Sequence, residues 1–376
     1  MTTGFMWDDR FLWWDQGHAA AFMPVDKWIE PGMEHAENPS MKVRLKNLLS
    51  VSGLLDQMTK VPTREATVEE ITRFHTLDYV NRMKAMSEAG GGDTGELTPF
   101  WGDGYSVAAL AVGGVLNAVD MIMAGEIENA YAMTRPSGHH AEADRGRGNC
   151  MFGYAALVGK HLQQVHGLTR IAVVDWDVHH GNGTQGAFYD DPQVLTISLH
   201  QDRYYPQDQG FVEETGSGDA VGTNINIPLP PGTGPGGYLS AWNEVVLPAL
   251  RAFQPEFVIN VAGFDGSALD PIGRQMLVAE TYGTFTSTLM EIAAECGEGR
   301  FIVINEGGYS AAYAPFCGLK VVEVLTGITS EVSDPFHDFI TGWGGMDLQP
   351  HQTDVIDRVR ANLPLLDAVV KSRRSP

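Results

Sequence analysis

The sequence predicts an α/β protein: one domain around a central, mostly parallel sheet with helices on both faces. Three observations carry this. Short, continuous apolar runs rich in β-branched residues recur along the 376-residue chain. Helix-like segments lie between them, as parallel strands require. Clusters of His, Asp and Tyr follow directly on the runs, and ligands of α/β sheets bind beyond the carboxyl ends of the strands. No repeat, low-complexity linker or long charge run divides the chain. Residues 1–376 therefore read as a single unit.

In chain order, an aromatic-rich segment comes first, over 1–30, with "MTTGFMWDDRFLWWDQG" at its start. Its Trp7, Trp13 and Trp14 read as packing or subunit-contact residues, which admits a homo-oligomer. "NAYAM" from Asn129 is the first recognisable strand and leads into "RPSGHH". A helix follows in "MFGYAALVGKHLQQVHG". "IAVVDW" from Ile171 leads into "DVHHGNG", and "VLTISLH" from Val194 into "HQDRYYP". After a second helix, "LSAWNEVVLPALRAF", the strand "FVINVAG" from Phe257 leads into "FDGSALDP". "FIVIN" from Phe301 leads into "EGGYS". The basic end "KSRRSP", within 370–376, reads as a flexible, solvated tail.

Composition narrows the function classes. Net charge is −22, from Lys+Arg 25 against Asp+Glu 47. A phosphate-backbone binder needs a basic surface, so direct nucleic-acid binding is not expected. The acidic field favours cationic small molecules or basic peptides. No apolar run reads as membrane-spanning, and the start lacks the parts of a signal peptide. The expected location is cytoplasmic. Cys150, Cys296 and Cys317 are far apart and form no CxxC, which suits a reducing compartment. "GTGPGG" from Gly232 matches a dinucleotide fingerprint but follows "IPLPP", whose prolines spoil the strand-to-turn geometry.

The chemistry is expected at the strand ends. Asp177 and His179 lie two apart on extended chain, which puts both side chains on one side. With Asp265, at the end of "FVINVAGFD", they make a plausible catalytic metal set with an open position. Residue 267 is serine, so that strand ends in Asp-Gly-Ser, which favours one metal over two. His139 and His140 each need a partner on the second ring nitrogen, and Asp175 and Asn182 can supply them. If Asp175 holds His139, that imidazole tends to stay protonated. If Asn182 holds His140, no charge raises its pKa and it can act as a base. Tyr309, after two glycines, can donate to an oxyanion.

These segments resemble a known family. "RPSGHHAEADRGRGNC", "DWDVHHGNGTQGAFYDDPQVLTISLHQD", "AGFDGSALDPIG" and "EGGY" are similar to the class II histone deacetylase-like amidohydrolases of the arginase–deacetylase fold. The likeness runs from about "HAENPS" to "PFCGL". It implies one zinc on Asp177, His179 and Asp265, a set that also accepts Fe(II), Co(II) or Mn(II). It implies His139 and His140 as the charged and general-base pair, with Asp175 and Asn182 behind them and Tyr309 as the transition-state donor. It implies Gly148 as the carbonyl that contacts the substrate amide. It implies potassium at Asp175, Asp177, His179, Ser198 and Leu199, and a second potassium near Phe188, Asp191 and Val194. Where the family has "GFC", this chain has Gly148-Asn149-Cys150. The Phe usually facing that wall corresponds to Tyr205, and "FNN" is here "FGY". These departures leave the metal set untouched and bear on the substrate.

The expected reaction is hydrolysis of an N-acetyl or other N-acyl amide of a lysine side chain, a polyamine or a small amine. Asn149 and Tyr205 suggest a substrate arm with hydrogen-bonding groups. Two alternatives stand beside it: a metal-binding homologue without turnover, and a ureohydrolase-like binuclear enzyme.

Overall fold

Strands buried on both faces must be apolar throughout and joined by crossovers, and the chain meets both conditions. The computed structural model describes residues 1–29 and 34–374. Its main sheet has eight strands: β1 (Thr3–Met6), β2 (Thr59–Val61), β3 (Asn129–Ala132), β4 (Ile171–Asp175), β5 (Val194–Gln201), β6 (Asn224–Leu229), β7 (Phe257–Ala262) and β8 (Phe301–Asn305). The spatial order is β6-β5-β4-β7-β8-β3-β1-β2, and every pairing is parallel. All residues of β3, β4, β5, β7 and β8 are buried, which the surrounding helices achieve. The helices that matter below are α1 (Ser40–Val51), α2 (Gly104–Met123), α3 (Tyr154–Gln164), α4 (Asn182–Phe188), α5 (Ala279–Cys296), α6 (Ala314–Thr326) and α7 (Leu363–Arg374).

The connection order creates the site. After β3 the chain crosses to β4 and runs outward through β5 and β6. It then returns to lay β7 and β8 between β4 and β3. The loops after β3, β4, β7 and β8 therefore leave four adjacent strands at one edge, around a reversal in strand order.

Three sequence expectations need correction. α2 is 20 residues long and contains an 18-residue window of mean hydropathy 1.7, so one run is long and apolar enough to span a membrane. Its Gly, Ala and Val residues serve instead to bury it, and 15 of its residues are inside the fold. The expected tail is helical as far as Arg374, because α7 buries Leu366 and Val369 and sets the Arg373 guanidinium over the Phe253 ring. Positions 375–376 of that tail, and position 30 of the N-terminal segment, lie outside the described residues. The N-terminal segment itself supplies β1. Trp7 and Trp14 are buried and Trp13 is exposed.

One buried base makes acid stability readable. His75 accepts the N–H of Gly153, just ahead of α3, at its Nε2 (2.9 Å). Burial pushes its pKa down from 6.5 to about 3. The unfolded chain then binds this proton more tightly than the folded one. The contribution of neutral His75 is complete above the unfolded value and is lost as pH falls toward 3. His75→Gln keeps an acceptor without the titration. Urea midpoints of this variant are expected to fall less than the wild type's as pH drops below about 6.

Candidate active site

The loop after β3 carries His139 and His140, and two anchors hold it. Arg135, fully buried, donates from Nε to Glu37 Oε1 (2.9 Å) and from Nη1 to the carbonyl oxygens of Phe11 (3.0 Å) and Trp14. The N-terminal aromatic segment thus fixes the loop. Glu306, at the end of β8, accepts the Gly138 N–H at Oε2 (2.6 Å).

Both histidines have the partners expected. His139 Nδ1 lies 2.9 Å from Asp175 Oδ2, and His140 Nδ1 lies 2.7 Å from Asn182 Oδ1. Their rings are 4.0 Å apart, so two positive charges there would repel. Burial disfavours charge on both. At His139, Asp177 and Asp175 outweigh burial and lift the pKa to about 10, with Glu306 adding to them. At His140, burial and the charges of His139 and His179 push the pKa well down. One imidazole is held charged and its neighbour neutral, as an acid–base pair requires.

The loops after β4 and β7 bring Asp177, His179 and Asp265 together, with one donor atom from each within 4.8 Å of the others. His179 Nδ1 is 3.0 Å from both Asp177 Oδ1 and Asp265 Oδ2. Backbone amides fix the other lone pairs: Asp177 Oδ2 accepts from Gly307 (3.0 Å) and Asp265 Oδ1 from Val178 (2.9 Å). With the His179 Nδ1 bond given to Asp177 Oδ1, Asp265 Oδ2 is buried without a hydrogen-bond partner of its own. Burial and the Asp177 charge push the Asp265 carboxyl up to about 7. An orphaned carboxylate oxygen facing a second carboxylate and an imidazole nitrogen is a donor set that suits a divalent cation. No fourth His, Cys, Asp or Glu joins this set among the described residues.

The glycines of "EGGY" act by close approach and by conformation. A Cβ on Gly307 would sit 2.4 Å from Asp265 Oδ2, and Gly308 has φ +122. The turn delivers Tyr309, whose N–H is held by Asp270 Oδ2 (2.8 Å). Burial raises the Tyr309 phenol far above its usual range, so it remains a proton donor.

A cavity of about 260 Å³ opens onto this edge. It is lined by His140, His179 and Tyr309, and also by all three expected substrate residues, Gly148, Asn149 and Tyr205. Asn149 has φ 69, a left-handed conformation that Asn tolerates better than most residues. Its N–H is fixed by Thr98 Oγ1 (3.0 Å) and Leu97 O (3.1 Å). The Tyr205 ring stands edge-on to His140 at 4.9 Å. Its hydroxyl donates to Glu96 Oε1 (3.1 Å), so toward the cavity Tyr205 can offer its oxygen as an acceptor but not its proton.

Sequence reasoning missed Glu306, His35, Leu97, Tyr204 and Ile272. Tyr204 stacks on His179 at 5.4 Å and 14°. It was legible only as the first Tyr of "RYYP". Glu306 opens "EGGY" and was legible as the acid of that motif. His35, Leu97 and Ile272 line the cavity from distant segments without a local pattern. Of the residues expected around potassium, Asp175 and Ser198 are register partners on β4 and β5, with Leu199 next along. Phe188, Asp191 and Val194 share one turn, where Asp191 N–H donates to Phe188 O (3.0 Å) and Val194 N–H to Asp191 O (3.2 Å).

Comparison with known proteins shows the family. The model of the histone deacetylase domain matches residues 35–325. A histone deacetylase-like amidohydrolase of Pseudomonas aeruginosa is 42% identical over 340 residues, covering 90% of each chain. Histone deacetylase HDA1 of Saccharomyces cerevisiae is 34% identical across 96% of this chain, which spans 52% of that protein. The crystal structure of the HDA15 HD domain superposes with a TM-score of 0.84 at 28% identity, covering 100% of both chains. The chain belongs to the histone deacetylase family, with the arginase–deacetylase fold, and is a hydrolase of amide bonds.

Proposed function

We propose that the chain is a zinc-dependent deacetylase acting on an N-acetyl or other N-acyl amide of a lysine side chain, a polyamine or a small amine. The observation that carries this is one cavity faced by His140, His179 and Tyr309, with Asp177 and Asp265 behind them. Asp177, His179 and Asp265 would hold the metal, which supplies Lewis acidity toward a carbonyl oxygen and toward water.

This chain's own residues do the rest. His140 keeps its proton on Nδ1, against Asn182, and takes the proton of the attacking water at Nε2. The Tyr309 hydroxyl and the positive field of His139 stabilise the oxyanion of the tetrahedral intermediate. His140 then passes its acquired proton to the leaving nitrogen, and a carboxylate and an amine depart. Potassium is proposed at Asp175, Asp177, His179, Ser198 and Leu199, where it would offset buried carboxylates, and at the Phe188–Asp191–Val194 turn. Fe(II), Co(II) or Mn(II) fits the same donor set as zinc.

A panel of acetyl-lysine peptides, acetylpolyamines and aryl amides, assayed on metal-loaded protein, tests the reading. Equal release of amine and carboxylate from at least one class is expected. Silence across the panel with metal bound would favour the binding homologue. Within the panel, Asn149→Phe is expected to shift relative kcat/KM from polar toward aliphatic amides by about tenfold, one hydrogen bond's worth. An unchanged ranking would remove Asn149 from substrate selection.

A further inference from the structure

Asn182 can orient His140 only if its own amide is oriented. The two ends of an Asn amide are similar in shape, and the hydrogen-bond network decides between them. Here Asn182 Nδ2 donates to Glu142 Oε1 (2.9 Å) and to His140 O (3.1 Å). An ionised carboxylate only accepts, so the nitrogen end must face Glu142. The oxygen end is then left against His140 Nδ1, 2.7 Å away. That contact requires the proton on Nδ1 and leaves the Nε2 lone pair free. A flipped amide would present N–H to Nδ1, draw the proton to Nε2 and remove the base.

Glu142 is itself held for this task. Arg147 Nη1 donates to Oε1 (2.9 Å) and Arg145 Nε to Oε2 (2.7 Å). Burial opposes its charge, but these two guanidinium groups outweigh it and keep the carboxyl below its usual range. Arg147 also pairs with Glu96 (3.0 Å), the acceptor of the Tyr205 hydroxyl. Glu142 therefore touches two systems: the base through Asn182 and the cavity wall through Arg147.

We propose that Glu142 is a positioning residue for amide hydrolysis, fixing the Asn182 amide so that His140 offers its Nε2 lone pair to the cavity. This rests on the function proposed above, with His140 as base.

The test is a cycle of Glu142→Ala and Glu142→Gln, each in the wild-type and the Asn182→Asp backgrounds. It is read as kcat and KM on whichever N-acyl substrate the wild type cleaves. Glu142→Ala is expected to lower kcat by about 10- to 100-fold with KM nearly constant, since only the protonation pattern of the base changes. Glu142→Gln, which still offers Nδ2 an acceptor oxygen, recovers most of the loss. An Asp at 182 needs no orienting and faces Glu142 as a like charge, so there Glu142→Ala raises kcat. A fall in kcat in both backgrounds, or a loss confined to KM, would assign Glu142 to the Arg147 wall and overturn the proposal. So would unchanged kcat in Glu142→Ala. Nitrogen-15 spectra of labelled histidine read the same point without turnover. The His140 signal, identified by its absence in His140→Ala, is expected as the Nδ1–H tautomer in wild type and as a mixture in Glu142→Ala. A pure Nδ1–H form in both contradicts the role. If the wild type cleaves nothing on the panel, the proposed function fails, while these spectra still decide the tautomer.

Discussion

Asp265→Ala is expected to abolish metal retention and turnover together. Removing one of three protein ligands withdraws the Lewis acid, which is worth several kcal/mol, so kcat should fall by at least about 10³-fold. The fold itself should survive. Asp265 is fully buried beside Asp177, and its removal costs one backbone hydrogen bond, from Val178 N–H, and one contact with His179. In metal-free protein the relief of the contact with Asp177 is set against the loss of an acceptor for the Val178 N–H and of a carboxylate beside His179, so Tm is expected to fall modestly without loss of cooperative unfolding. Zinc is expected to raise the wild-type Tm by binding the folded chain more tightly than the unfolded one, and that rise should vanish in the variant. Calorimetry with and without zinc, beside an activity assay, checks both halves. A variant that keeps the zinc-induced rise would move the metal away from Asp265.

Tyr309→Phe carries the second large effect. Its hydroxyl can stabilise only charge that develops during attack, so kcat should drop by about 10²- to 10³-fold while KM moves little. Burial keeps the phenol protonated far beyond neutral pH, so the loss should be the same across the neutral range. Steady-state kinetics of the two proteins at several pH values measure this. A variant whose KM rises while kcat stays level would make Tyr309 a binding residue.

These expectations were largely legible in the sequence where chemistry and pattern coincide locally. Asp177 and His179 lie two apart after a continuous apolar strand, and "HH" and "GGY" are each contiguous. The five strands read correctly were unbroken runs such as "IAVVD" and "FIVIN". β1 and β2 were missed because "TGFM" and "TKV" are too short to show a period. β6, "NINIPL", was missed because its buried Asn224 and Asn226 look like a surface pattern. Both turn inward to donate to Gln185 Oε1 (2.9 and 2.8 Å). Glu142 carried no signal either: its partner Asn182 is 40 residues away, and only the fold joins them. Tyr205 shows the converse limit. Its hydroxyl reads as a donor for substrate until Glu96, 109 residues distant, is found accepting from it.

On the proposed function, Asp177, His179 and Asp265 hold one metal for amide hydrolysis driven by His140 and Tyr309. Its most direct test is a titration of metal-free protein with zinc, following release of free amine from a cleaved N-acyl substrate. Turnover is expected to rise linearly and stop rising at one zinc per chain, and to stay absent in His140→Ala at every ratio. A break at two metals per chain, or equal turnover in His140→Ala, would contradict it.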